Sequence, residues 1–202
     1  MGPIVVTEGA EQFTANAYLV TGETTGLIDV GTPTWIADEI ADHTDELDVI
    51  YLTHTHGDHI QQLERVVDRF DPDVYAYEDH DLRTHPIEDG DRLPLGDTRV
   101  RALHTPGHAE DHLVFFDKRW LFSGDIVVYN DGAFDDGSFG RTDVPGADRE
   151  TLIDSIERIL DETPDSIQAM YPGHGDVYEG DVRTVIQRSL ERASRREPKY
   201  QE

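Results

Sequence analysis

Val49-Ile50-Tyr51-Leu52 is a short apolar run of β-formers that leads straight into Thr53-His54-Thr55-His56-Gly57-Asp58-His59-Ile60. No other stretch constrains the fold as much. A strand must deliver three imidazoles and a carboxylate to a loop at its C-terminal end. The segment after it, Gln61 to Phe70, carries Leu63, Val66, Val67 and Phe70 on one helical face. Strand, ligand-rich loop and helix in that order fit a layered α/β chain, where sites form beyond the carboxyl ends of strands.

The same pattern recurs along the chain. Pro3–Thr7, Ala17–Val20 and Thr25–Asp29 read as strands, with Gly22 and Gly26 as turn residues, and a helix starting near the Val30–Pro33 turn continues through Ile36 and Ile40 to about His43. Asp73–Tyr77 alternates as a strand, and Asp79 to Arg92 is polar and irregular. Thr98–Leu103 leads into Thr105-Pro106-Gly107-His108, and His112–Phe116 with Trp120–Phe122 reads as a hairpin ending in Ser123-Gly124-Asp125. After a long loop, Asn130 to Gly146, come a helix over Asp148–Leu160, a strand over Ser166–Tyr171 that ends in Pro172-Gly173-His174-Gly175, and a helix over Asp181–Arg195. The tail after Pro198 reads as frayed. The order predicts an α/β chain of two β-sheets with helices on their outer faces, in one domain over 1–202.

Four strand ends thus finish in candidate ligands: the 54–59 cluster, His108, Asp125 and His174. Any one of these alone reads more readily as a solvated histidine or a capping aspartate. Five imidazoles and two carboxylates together suit two metal ions about 3.5–4 Å apart. The chain has no cysteine, which excludes a thiol nucleophile, zinc–thiolate sites and iron–sulfur clusters. Imidazole and carboxylate are borderline-to-hard donors that suit two divalent ions, zinc first, with iron or manganese as alternatives.

The 43 acidic residues against 17 basic give a formal net charge of −26. Spread along the chain, this predicts adaptation to high salt, where self-repulsion is screened. It also opposes nucleic-acid binding, which needs a basic footprint. No apolar stretch approaches the roughly 18 residues of a membrane span, and Met1–Glu11 lacks the pattern of a signal peptide. The expected location is the cytoplasm. The expected partners are a small-molecule substrate and, in a homodimer, a second copy of the chain.

His54-Thr-His-Gly-Asp-His59, Thr105-Pro-Gly-His108, Phe122-Ser-Gly-Asp125 and Tyr171-Pro-Gly-His-Gly175 closely resemble the motifs of the metallo-β-lactamase superfamily, in its order and spacing. Asn16–Leu19 and Leu27–Gly31 resemble its N-terminal strands. The resemblance implies a four-layer αββα sandwich. It implies one metal held by His54, His56 and His108, a second by Asp58, His59 and His174, and Asp125 bridging both. The implied nucleophile is a metal-bridging hydroxide oriented by Asp58, its pKa lowered toward about 7. Asp29 would orient a ligand imidazole; His112, near His108, reads more readily as a hydrogen-bonded strand start than as a support for the site; His43, His80, His85 and His104 are not expected to ligate. Many members follow the cluster with two glycines; here Gln61 and Gln62 stand there, which predicts looser packing at that helix start.

Gly137–Gly146 (GSFGRTDVPG), leading into Glu150–Ile156, resembles the loop of the glyoxalase II-like hydrolases. That branch implies hydrolysis of a thioester, as by a hydroxyacylglutathione hydrolase. No separate C-terminal helical substrate domain is visible, which puts glutathione itself in doubt. Persulfide dioxygenases, with one iron on the equivalents of His54, His108 and Asp125, and lactonases are the alternatives. Arg141, paired with Asp143, and Tyr129 are the candidate substrate-binding residues.

Overall fold

In the computed structural model, which describes residues 2–197, the chain divides after Arg101 into two compact units. The first contains β1 (Ile4–Val5), β2 (Tyr18–Val20), β3 (Gly26–Ile28), α1 (Ile36–His43), β4 (Val49–Tyr51), α2 (Gly57–Ile60), α3 (Leu63–Phe70), β5 (Asp73–Ala76), β6 (His85–Pro86) and β7 (Arg92–Leu95). Strands β1 to β6 form a mixed sheet in sequence order. The pairs β1/β2 and β2/β3 are antiparallel, whereas β3/β4, β4/β5 and β5/β6 are parallel.

Parallel neighbours need a crossover; α1 supplies it between β3 and β4, and α2 with α3 between β4 and β5. Ile36, Ala37 and Ile40 of α1 and Leu63 and Val66 of α3 join Leu19, Leu27, Ile50, Leu52 and Val74 in one buried cluster. Strand β4 is buried along its length because both neighbours pair with it. Its C-terminal end is therefore a rigid platform for the residues beyond Tyr51.

Strand β8 (Thr98–His104) carries the division between the units. Beyond it lie β9 (Leu113–Phe116), β10 (Trp120–Gly124), α4 (Arg149–Glu162), β11 (Ala169–Pro172), β12 (Tyr178–Glu179) and α5 (Val182–Ser194). The second sheet runs β12-β11-β10-β9-β8-β7. The pair β10/β11 is parallel and joined through α4, whereas β7/β8, β9/β10 and β11/β12 are antiparallel. Leu152, Ile156 and Ile159 of α4 and Val182, Val185 and Ile186 of α5 pack with Leu121, Ile126 and Met170 in a second buried cluster. Asp148 and Asp181 cap the two helices, accepting from the backbone N–H groups of Thr151 and Thr184.

Four local expectations change. The 54–59 segment is not all loop, since Gly57–Ile60 forms a turn of helix. Gly26 lies inside β3, where a Cβ would stand 2.5 Å from Leu95 Cδ1 and 2.9 Å from Val49 Cγ2. Close packing, not a turn, explains that glycine. Gln62 caps α3 at φ −103°, outside the left-handed region, and is buried. No glycine is needed there, and the helix start is well packed. Finally, β6 and β7 arise around the stretch read as irregular. The tail after Pro198 lies outside the described residues.

Candidate metal centre

The first unit carries four of the seven candidate ligands. After β4 the chain stays extended to His56, at φ −62° and ψ 145°. Alternate residues of an extended chain share a face, so His54 and His56 meet, Nε2 to Nδ1, at 3.0 Å. The following helical turn, closed by His59 N–H to the His56 carbonyl at 3.0 Å, returns His59 to the same place. Its ring centroid lies 4.0 Å from that of His54. The HxHxDH spacing is thus a half-extended, half-helical hook.

Asp29 holds the hook. It sits at the end of β3 at φ 56°, and its buried carboxylate accepts from Thr53 N at 2.8 Å, Thr53 Oγ1 at 2.7 Å and His59 Nδ1 at 2.8 Å. A buried carboxylate needs such donors. The bond to His59 puts the proton on Nδ1 and leaves Nε2 with the lone pair, the form a metal requires. Val30 N and Gly31 N both donate to the His59 carbonyl at 2.9 Å, fixing its backbone as well.

The second unit carries the other three. His108 lies in the turn after β8, where α4 packs so closely that a Cβ on Gly107 would meet Leu152 N at 2.3 Å. Its Nδ1 donates to the Arg141 carbonyl at 2.9 Å. Asp125 follows β10, and its backbone N–H donates to His112 Nε2 at 2.9 Å; His112 Nδ1 meets Thr105 Oγ1 at 3.0 Å. His112 therefore positions Asp125 through the main chain. His174 follows β11, the parallel neighbour of β10, and Gly173 N donates to the Gly124 carbonyl at 2.8 Å.

Asp125 Oδ2 stands 3.3 Å from His108 Nε2 and 3.4 Å from His174 Nε2. With its proton on Nδ1, His108 presents a lone pair at Nε2, facing a carboxylate lone pair. Such a pair repels unless a cation, a proton or a metal ion, lies between. Imidazole nitrogens around one carboxylate oxygen are the donor set of a metal site. The residues therefore fit divalent ions.

The weaker substrate candidates have partners of their own. Arg141 makes a two-pronged pair with Asp143, Nε–Oδ1 2.9 Å and Nη2–Oδ2 2.7 Å, with both side chains at least half exposed. The hydrogen bonds from Arg141 hold the Asp143 carboxyl down at about 2. Tyr129 packs its ring on Tyr178, centroids 4.7 Å apart. His43 pairs with Glu39, His80 accepts from Leu82 N, His85 stacks on Tyr75, and His104 bonds the Glu110 carbonyl. Thr53, Gly140 and the Arg141 carbonyl escaped sequence reasoning.

Comparison with known proteins places these motifs. Residues 10–88 and 75–174 match the metallo-beta-lactamase superfamily. The chain belongs to that superfamily, and its two mixed sheets with helices are the elements of the family's α/β sandwich fold. It is 32% identical over 193 residues to a beta-lactamase-like protein 2 homolog of Drosophila melanogaster, covering 84% of this chain and 61% of that one. It is 36% identical over 141 residues to a hydroxyacylglutathione hydrolase of Francisella philomiragia, covering 67% and 52%. The chain thus spans about half to three fifths of the length of these relatives. The solved structure of TTHA1623 in a di-iron-bound form is 30% identical with a TM-score of 0.70, covering 89% of this chain and 94% of that one. The family implies divalent metal ions. No described helix is long and apolar enough to cross a membrane.

Proposed function

We propose that this chain is a dinuclear metal-dependent hydrolase that cleaves a thioester. By the family resemblance, one ion would be held by His54, His56 and His108 and a second by Asp58, His59 and His174, with Asp125 a ligand to both. The observation that carries the dinuclear reading is the position of Asp125 Oδ2, 3.3 and 3.4 Å from the Nε2 atoms of two histidines assigned to different ions. When bound, the ions lower the pKa of water toward neutrality and polarise the substrate carbonyl.

The chain's residues do the remaining work. Asp58 would orient the attacking hydroxide toward the carbonyl carbon, and the thiol leaves as its thiolate. Asp29 keeps His59, and the Arg141 carbonyl keeps His108, in the Nδ1–H form. His112, through the Asp125 N–H, would hold the Asp125 carboxylate in place for the ions. No side-chain nucleophile is needed, in keeping with the absence of cysteine. Zinc is the assigned metal, with iron the alternative that the di-iron relative supports. The loop resemblance and the hydroxyacylglutathione hydrolase relative support the thioester. The substrate is a small molecule in the cytoplasm.

The test is a metal-defined screen of wild type, Asp125→Ala and His108→Ala against acyl thioesters, lactones and persulfides. Zinc-supported thioester cleavage lost in both variants is expected. Activity surviving both substitutions sinks the site assignment. Iron-dependent oxygen uptake with a persulfide, without thioester cleavage, would replace hydrolysis by dioxygenation.

A further inference from the structure

The loop from Asn130 to Gly146 reaches the candidate ligands at one end and α5 at the other. At the ligand end, the Arg141 carbonyl accepts from His108 Nδ1, and a Cβ on Gly140 would stand 2.7 Å from that same nitrogen. At the other end Asp136 accepts from Arg188 and forms an ion pair with Arg192. Arg192 Nη2 lies 2.7 Å from Asp136 Oδ1, and Nη1 donates to the Gly137 carbonyl. The same guanidinium lies over the Phe134 ring, 4.1 Å from its centroid. Arg192 thus grips a ring, a carboxylate and a carbonyl within four consecutive residues.

The stretch between the two ends has no slack. Gly137, at φ 121°, lies against α5, where a Cβ would stand 3.0 Å from the Val185 carbonyl. Ser138 pairs with Val128 through backbone bonds of 2.9 and 3.0 Å. Phe139 is fully buried beneath Arg149. Gly140 and Arg141 come next. Only Ser138, Phe139 and Gly140 separate Gly137 from the Arg141 carbonyl that holds His108.

We infer that Arg192 is a positioning residue for His108: through Asp136 and Gly137 it sets the loop that orients the imidazole, and so sets the affinity of the ion that His108 serves. The inference rests on the ligand assignment above. A guanidinium suits the task because its planar fork donates in two directions while its face covers a ring. An ammonium at this position keeps the charge opposite Asp136 but not all three contacts. Arg195 on the same helix supplies the control, since its side chain is 67% exposed and meets Glu191 and Glu197 on the surface.

The test titrates metal-free protein with zinc in competition with a chromophoric chelator, which reads the two binding steps separately. Wild type, Arg192→Ala, Arg192→Lys, Asp136→Asn, Arg195→Ala and His108→Ala are compared, with Tm recorded for each. Disturbing a group that orients a metal ligand costs about 10–100-fold in affinity. One step should weaken by that factor in Arg192→Ala, by a smaller factor in Arg192→Lys and Asp136→Asn, and not at all in Arg195→Ala. If Arg192→Ala does not fold, the Lys and Asn variants decide alone. Wild-type affinity in the Arg192 and Asp136 variants, with a step lost in His108→Ala, overturns the inference and makes Arg192 a staple of the C-terminal helix. Both steps intact in His108→Ala overturns the ligand assignment itself.

Discussion

Gly140→Ala and Gly57→Ala are the same chemical change at two glycines of the candidate centre, and the structure predicts opposite outcomes. A Cβ on Gly140 would stand 2.1 Å from the Asp125 carbonyl oxygen, and 2.7 and 2.9 Å from His108 Nδ1 and Cγ. The nearest of these is about 0.9 Å inside the 3.0 Å below which something must shift, and it belongs to backbone that cannot swing aside. The loop has to retreat, which costs about 1–3 kcal/mol as overpacking. Retreat also stretches the bond from His108 Nδ1 to the Arg141 carbonyl, worth about 0.5–1.5 kcal/mol. Together these predict roughly 2–4 kcal/mol of destabilisation in the metal-free protein. A Cβ on Gly57 meets nothing within 4 Å, and neither glycine is at a left-handed φ. Gly57→Ala should therefore be neutral, or stabilise by up to about 1 kcal/mol through the unfolded chain. Urea denaturation of both variants measures the difference, and chelator competition should show metal affinity falling about 10–100-fold in Gly140→Ala. Gly140→Ala within about 0.5 kcal/mol of wild type, or a loss as large in Gly57→Ala, would refute the steric argument.

Other outcomes depend on the groups that hold the ligands. Asp29→Ala leaves Thr53 N and His59 Nδ1 without their acceptor; at about 1–3 kcal/mol for each stranded donor, roughly 2–5 kcal/mol should be lost in denaturation. A loss below about 1 kcal/mol would mean that water replaces the carboxylate. His112→Phe keeps a ring but strands the Asp125 N–H, so stability should fall by about 1–3 kcal/mol and metal affinity with it; an unchanged affinity would remove His112 from the site. Asp143→Asn tests the loop's surface pair. The Asp143 carboxyl is depressed to about 2, so its contribution is complete above the unfolded value near 3.9 and fades as pH falls through about 2. Because the side chain is 66% exposed, the Tm difference at pH 7 should stay under about 3 °C and narrow toward pH 2; a gap that stays constant with pH is the contrary result. The net charge of −26 predicts a Tm that rises with KCl as the Debye length shrinks from about 10 Å at 0.1 M to about 3 Å at 1 M. A flat profile would count against salt adaptation.

The strands missed in the sequence share one physical cause. β6, β7 and β12 each lie at the edge of a sheet. β6 and β12 have two residues each, while β6 contains Pro86 and β7 contains Pro94. Proline removes a ladder donor and is confined to edges or bulges, and a strand paired on one side only imposes no strong period on its residues. The central strands and the stripes of α4 and α5 were legible because burial on a sheet or helix face imposes a period on residue type. The seven candidate donors were legible because metal chemistry restricts them to a few side chains. What orients them was only half legible. Asp29 and His112 act through side chains and left a letter to read. The Arg141 carbonyl and the Asp125 N–H are main-chain atoms that every residue carries, so no letter marks them. This bears on the loop from Asn130 to Gly146, which its resemblance suggested as the chooser of substrate. Residues Gly137 to Arg141 are committed to α5, to Val128 and to His108, so they cannot vary with substrate without moving a ligand. On the proposed thioesterase reading, substrate choice within this loop would fall to Asn130–Ala133 and Val144–Gly146, which lie outside the residues that Arg192 and Arg149 hold.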